Sequence, residues 1–399
     1  MPPVSARPSK DRHDAYPRRD GVDRACGRMK PTLLVHIDYG SQGSAGLYIE
    51  RLLKAPTSFD EVEAFVHHDY AGDGGAAAVH RIFGRRSAKI KPRALQGLYK
   101  WIDLYSCFFS IWMQLRRRSR SRRMVVVISL FQSFRAYEWL FRRLRPLGKL
   151  VVIVHDAVEH AHSYPALVMS PREDILAHAH KLIAHSDDAK RKLERYGRPV
   201  SVMPFPPMKP DSRGEKGRSG VGLVRFLFIG HIKAEKGVDR LVKVWRSLPE
   251  SVVQRCSLTI AGSLSSDVPP DFDGLRNATI RVGFLGDEEF VGLIEAADCL
   301  LFPYIGGTNS GVYSISCSMA KPSIVSSLPV FSESPFYPAS LSFDSDDELA
   351  ERISAVVERP SDLVGMSEAM HAIWRRTDAD FDAFFERNDP FMAGEAEGG

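Results

Sequence analysis

Cysteine is scarce in this 399-residue chain: five residues, at 26, 107, 256, 299 and 317, with no CxxC pair and no zinc-like spacing. Thiols scattered in this way build neither a disulfide framework nor a structural metal centre, and they point to a reducing compartment. Long apolar runs are missing too. No stretch approaches the roughly 20 residues that a spanning helix needs, and the charged N-terminus is not followed by the apolar core of a signal peptide. These absences predict a cytoplasmic protein, at most peripheral on the inner face of a membrane. A GxGxxG dinucleotide fingerprint is also lacking, as is any internal repeat. What remains is globular: 44% hydrophobic and 26% charged residues with a net charge of +5. The length suits about two domains of roughly 150 to 200 residues each.

The most informative stretch is Arg225 to Leu248, RFLFIGHIKAEKGVDRLVKVWRSL. Phe226 to Ile229 has the length and composition of a buried strand, Gly230 ends it, and Val238, Leu241, Val242 and Trp245 recur at helical spacing. The turn between them, with His231, Lys236 and Gly237, lies where open α/β sheets bind ligands, beside the free amides of a new helix. Lys236 and the close-approach backbone thus form an anion site, or else an ordinary strand-to-helix junction with a solvated lysine.

Similar junctions flank it. Residues 31–37 read as a strand, followed by DYGSQGSAG, whose Gly40, Gly43 and Gly46 let a ligand come close to the backbone before a helix through Leu47, Ile49 and Leu52. Lys149 to Val154 is a buried strand ending at His155, a position that faces the cleft of a parallel sheet. His160 and His162 follow, but no Cys or carboxylate at ligand spacing completes a shell, so no metal is expected. Past Phe302, a loop of small residues including Ser310, Gly311 and Val312 is a second phosphate cradle in the same half.

The segment 101–123 differs in character. Trp101, Leu104, Phe108, Trp112 and Leu115 would share one helix face, and six arginines follow between Arg116 and Arg123. That face is either a core stripe followed by a solvated basic turn, or an interfacial helix drawn to anionic lipid. Nucleic acid is not expected, because no DNA- or RNA-binding motif accompanies the arginines. The domain plan reads as a disordered leader at 1–30, in which Met29 is an alternative start, and an α/β domain at 31–207. A Gly/Arg/Ser-rich linker at 208–222 leads to a second α/β domain at 223–375. A C-terminal helix and tail at 376–399 cross back to the first domain.

Taken together, FLFIGHIKAEKGVDRL, LTIAGS, RVGFLGDEEFVGLIEAADCLLFPY and TNSGVYSISCSMAKPSIVSS resemble the retaining glycosyltransferases of family 4. VVIVHDAVEH, LIAHSDDAKRKLERYG and VMPFPP in the first half add looser matches. The resemblance implies the GT-B architecture, two Rossmann-like parallel-sheet domains facing a cleft. It implies transfer of a sugar, with retention, from a nucleotide-sugar donor to a glycan or lipid-linked acceptor, as in polysaccharide or glycoconjugate biosynthesis, without metal or other cofactor. It places Lys236 on the donor pyrophosphate, Phe284 and Leu285 around the base, His155 near the transferred sugar and Ser310, Gly311 and Val312 at the distal phosphate. The chain departs from the family pattern in two places. His231 follows Gly230 where an arginine is usual, and Ile315 and Gly307 stand where paired glutamates are usual. That second departure motivates an alternative, a non-catalytic glycosyltransferase-like subunit. An epimerase or a pyridoxal-dependent phosphorylase would need carboxylates or a cofactor lysine that the sequence does not offer.

Overall fold

The computed structural model describes residues 31–39, 43–85, 93–130, 133–157, 168–210, 223–264, 270–307, 310–387 and 389–391. The expectations for the leader, for Gly40, for His160 and His162, for most of the linker and for the last residues lie outside them. Within the described residues the chain builds two parallel sheets. The first contains β1 (Thr32–Ile37), β2 (Glu61–His67), β3 (Ala78–Phe83), β4 (Arg123–Leu130), β5 (Lys149–Val154), β6 (Lys181–Ala184) and β7 (Val200–Val202), in the order β3-β2-β1-β4-β5-β6-β7. The second contains β8 (Val224–Ile229), β9 (Cys256–Gly262), β10 (Ala278–Val282), β11 (Cys299–Phe302), β12 (Ser323–Ser326) and β13 (Leu341–Phe343), in the order β10-β9-β8-β11-β12-β13.

The central strands explain this arrangement. β4, β5 and β8 are near-continuous runs of Val, Ile, Leu and Phe, buried along almost their whole length, as strands covered by helices on both faces must be. In each sheet the order reverses once, between β1 and β4 and between β8 and β11. The loops leaving such a pair turn to opposite faces and open a crevice at the carboxyl ends of the strands.

The two halves share one apolar cluster, in which Leu34 and Tyr48 of the first join Leu227, Phe302 and Tyr313 of the second. The helix Gly43–Leu53 packs on the helix Gly311–Ser318, and Ser314 Oγ donates to the Pro206 carbonyl at 3.3 Å. A long helix, Asp362–Arg387, closes the structure. Arg51 of the first half bonds Asp378 at 3.0 Å and Asp382 at 2.9 Å, both on that helix. Buried Lys181 Nζ donates to the Pro390 carbonyl at 2.8 Å.

The helix Arg93–Arg118 resolves the two readings of its apolar face. Leu104, Phe108, Ile111 and Leu115 are buried in the core of the first half, and Trp101 packs edge-on against Phe134. The stripe containing Leu104, Phe108 and Leu115 is therefore a core stripe and not a lipid-facing one. A different stripe faces out: Tyr99, Ile102, Tyr105 and Phe109 are all exposed. Two of the six arginines are also tied down, Arg118 by an ion pair with Glu63 and Arg122 by bonds to Glu61.

Ala320 carries a φ of +55° at the end of the helix Gly311–Ser318, where Lys321 N–H closes on the Ser316 carbonyl at 2.9 Å. A Cβ in the left-handed region costs about 1–2 kcal/mol, and glycine relieves it. Ala320→Gly is expected to stabilise the protein by about 1 kcal/mol in urea denaturation. A loss of stability of that size would mean that the residue does not hold this conformation.

Candidate active site

The crevice of the second sheet is built on glycines. A side chain on Gly262, at the end of β9, would overlap the Gly230 carbonyl, and one on Gly237 would overlap the carbonyl of Pro303 after β11. Both glycines have positive φ, so neither conformation nor space admits another residue. The loop after β8 is thereby pressed against the loop after β11. Glu235 carbonyl oxygen accepts from the Ile305 and Gly306 amides at 3.0 and 3.3 Å, which laces the two together.

Lys236 ends a short 3₁₀ turn, Ala234–Lys236, just before the helix Val238–Ser247. Its ammonium lies 3.9 Å from the centre of the Tyr304 ring, and Tyr304 Oη is 2.9 Å from Ser310 Oγ. Ser310 caps the helix Gly311–Ser318 by accepting from Tyr313 N–H at 3.3 Å. Gly230 lies against Val312, with room for a Cβ only at 3.3 Å from the valine methyl. The structure thus brings Gly230, Lys236, Ser310, Gly311 and Val312 to one place. His231 stays open to solvent beside them. Partial desolvation of the ring lowers its imidazole pKa, and Lys233 and Lys236 lower it further. Lys233 is ion-paired with Glu235 at 2.6 Å, so Lys236 supplies the positive charge here, with the free amides of a helix start alongside.

Leu285 and Phe284 follow β10, which reaches this crevice through a bond from the Gly283 amide to the Gly262 carbonyl at 2.9 Å. Leu285 packs on the shared core, whereas Phe284 stands out at 87% exposure. Ile315 is buried at 1% exposure in that core. The position that the family resemblance gives to a glutamate is therefore filled by packing.

In the first sheet, Gly43 opens the helix Gly43–Leu53, and the preceding strand β1 borders the point of reversal. His155 follows β5 and is nearly enclosed, at 7% exposure. Its ring lies edge-on to Tyr48 at 4.6 Å and 5.7 Å from His185, which follows β6. His185 Nδ1 donates to the Met203 carbonyl at 3.1 Å, since a carbonyl only accepts, so its Nε2 accepts the Tyr48 hydroxyl at 2.9 Å. Phe205 closes the group against His185 at 4.9 Å. Tyr48 and His185 were not singled out as site residues from the sequence. They lie 137 positions apart, and the one available signal was that His185, like His155, ends a buried strand.

Burial keeps these imidazoles neutral. It pushes His155 well below the usual value, with His185 adding to the effect, and takes His185 from 6.5 to about 4. Burial alone does the same to His36, also to about 4. Between pH 6.5 and about 4 the unfolded chain therefore binds protons that the folded protein refuses. The stability is complete above pH 6.5 and is lost as the pH falls toward 4, at up to about 1.4 kcal/mol per pH unit for each histidine. Denaturant unfolding across this range is expected to show that decline, with a shallower slope in His185→Gln.

Comparison with known proteins bears on what such a crevice serves. Residues 224–359 match the family model described as glycosyl transferases group 1. No curated protein sequence matches the chain. Sucrose-phosphate synthase from Thermosynechococcus elongatus superposes with a TM-score of 0.60 at 13% identity, over 89% of this chain and 98% of that one. HepE from Anabaena, in complex with UDP, superposes with a TM-score of 0.55 at 13% identity, over 89% and 98%. WaaG, a glycosyltransferase of lipopolysaccharide biosynthesis, gives 0.54 at 15% identity, over 91% and 100%. At these identities the likeness is one of fold. The chain has the GT-B fold, and residues 224–359 of its second domain match the model of the glycosyl transferases group 1.

Proposed function

We propose that the protein is a glycosyltransferase of family 4 type that moves a hexosyl group, with retention, from a nucleotide-sugar donor to a glycan or lipid-linked acceptor. The observation that carries this reading is Lys236 held over Tyr304 where two glycine loops are pressed together, beside the start of the helix Gly311–Ser318. A departing diphosphate develops negative charge, and a lysine with preorganised amides stabilises that charge best in a closed crevice. The lysine, the amides and the helix start supply a positive field without a metal. In a same-face displacement the diphosphate helps to remove the acceptor proton, so no enzymic nucleophile is assigned. To His155, neutral at the end of β5, we assign a hydrogen bond to the sugar. HepE is bound to UDP and, in another structure, to UDP-glucose, which makes uridine diphosphate sugars the first donors to try.

Buried Ile315 favours a second reading, a glycosyltransferase-like subunit that binds a sugar nucleotide without turning it over. Calorimetry and UDP release on the purified protein separate the two. The expected result is binding of a nucleotide sugar with slow transfer of its sugar to water and release of the nucleoside diphosphate, and Lys236→Ala weakening the binding about 10- to 100-fold, equivalent to about 1.5–3 kcal/mol for a charge-assisted contact. Binding without any release supports the second reading. Unchanged affinity in Lys236→Ala removes the lysine from the site.

The acceptor side is assigned from the outer face of the helix Arg93–Arg118. Ile102, Tyr105 and Phe109 are exposed on one stripe that continues through Trp112 to Arg116. Trp139 stands 6.3 Å from Tyr105 and 6.4 Å from Trp112, and the Arg143 guanidinium lies 4.1 Å over Trp139. Aromatic rings rimmed by arginines suit the boundary of an anionic bilayer, where each arginine near the surface adds about 1 kcal/mol. Among the described residues no helix is long and apolar enough to cross a membrane. The protein is expected to co-sediment with vesicles containing anionic lipid, less so at high salt, and to be released when Arg116, Arg117 and Arg120 are replaced by glutamine. Equal recovery on neutral and anionic vesicles would leave a soluble acceptor.

A further inference from the structure

The carboxyl ends of β2 and β3 hold a group of side chains that glycosyl transfer does not use. β2 ends at His67, and His68 and Asp69 follow at once; one ligand atom from each lies within 4.8 Å of the others. Two hydrogen bonds set which lone pairs point inward. His68 Nδ1 is 3.0 Å from the Phe83 carbonyl oxygen. A carbonyl can only accept, so Nδ1 carries the proton, and in the neutral ring the Nε2 lone pair is turned to Asp69 Oδ1 at 3.1 Å. The Asp69 amide donates to His67 Nδ1 at 3.3 Å, so that nitrogen is unprotonated, and a metal ion there would take the place of this long amide contact; it lies 3.6 Å from Asp69 Oδ2. Two imidazole nitrogens thus face the two oxygens of one carboxylate.

We propose that His67, His68 and Asp69 form a binding site for a divalent transition metal of the zinc class. Donor atoms around such an ion, tetrahedral with bonds of about 2.0–2.2 Å, stand about 3.3–3.6 Å from one another. The separations of 3.1 and 3.6 Å run to different oxygens of Asp69, and one donor from each residue lies within 4.8 Å of the others, so the group must draw together by about 1 Å to admit the ion. The bond from His68 Nδ1 to the Phe83 carbonyl is the kind of outer contact that orients a ligating histidine.

The surroundings are shaped for the two rings. Gly84 has a φ of +78°, and a Cβ there would overlap His67 Nε2 and come within 2.8 Å of His68 Nδ1. Tyr39 packs edge-on against both His67 and Phe83, at 6.3 and 5.5 Å. From the helix Arg93–Arg118, the carboxylate of Asp103 acts on the His67 imidazole. Asp103 is 4% exposed, and its Oδ2 has no hydrogen-bond partner among the described residues. It adds negative potential at the place where a cation would sit. Asp69 is exposed, so a fourth position on the ion is open to water or to an oxygen of a ligand. The site is independent of the glycosyl-transfer reading.

The competing arrangement is a proton, an imidazolium paired with Asp69, and a metal titration separates the two. The full-length protein, freed of metal with a chelator and dialysed, is titrated with Co2+ while the visible absorption of the ion is followed, then challenged with Zn2+. His68→Gln and Asp69→Asn are run beside it, with thermal unfolding of each apo protein to show that the fold is kept. The wild type is expected to take up one Co2+ per chain that Zn2+ displaces, at least tenfold more tightly than either variant. Equal uptake by wild type and both variants, or no uptake by the wild type, overturns the proposal. Asp69→Asn changes an exposed side chain, so it keeps the test valid if His68→Gln fails to fold.

Discussion

The constraint on which the second domain depends is the contact of backbone with backbone at its point of strand reversal. Gly262 lies on the Gly230 carbonyl and Gly237 on that of Pro303, at distances that leave no room for one methyl group. Everything chemically interesting nearby follows from that closeness. The loop after β8 borrows its shape from the loop after β11, and the amides of Ile305 and Gly306 close on Glu235. Lys236 is thereby delivered onto Tyr304 with no carboxylate paired to it among the described residues. An ammonium resting on an aromatic face is only modestly stabilised, by about 0.5–1 kcal/mol when exposed. It remains available to a more strongly charged ligand.

The two halves contribute different environments. In the second, lysines and an open histidine gather around helix starts. In the first, Tyr48, His155, His185 and Phe205 form an uncharged cluster in which the Tyr48 hydroxyl and the His185 nitrogens are spoken for by one another and by Met203. The proposed donor, a polyanion joined to a neutral sugar ring, would call for both kinds of surface. The segment 203–206 serves both: Met203 and Phe205 touch the histidines, while Pro206 accepts from Ser314 on the opposite helix.

What the sequence disclosed and what it hid have physical reasons. Strands β4, β5, β8 and β11 are buried on both faces, so their composition alone announces them. β2, EVEAFVH, mixes glutamates with core residues, and β3 is a half-buried edge, so neither stands out. The glycine loops were legible because close backbone approach leaves only one residue type. The Tyr48 and His185 pair was not, because its members meet only when β6 and the first helix are in place. Periodicity picked out the face of the helix Arg93–Arg118 that holds Leu104, Phe108 and Leu115, but could not say whether core or lipid covers it. Packing against Phe134 and Tyr137 settled it for the core. The His67, His68 and Asp69 group is contiguous in sequence but becomes recognisable only when Phe83 and Gly84 orient the rings.

The long closing helix has a consequence for how the protein is made. Arg51 finds Asp378 across 327 positions of chain, and Phe391 lies edge-on to His36, a residue of the first strand. A ribosome delivers the first sheet long before these partners exist. Until Asp362–Phe391 emerges, the first domain keeps apolar surface and a guanidinium uncovered, and contacts of such long sequence separation form slowly. A segment translated 327 positions after Arg51 therefore seals the first domain, and chains released before it would present that unsealed surface to chaperones and proteases.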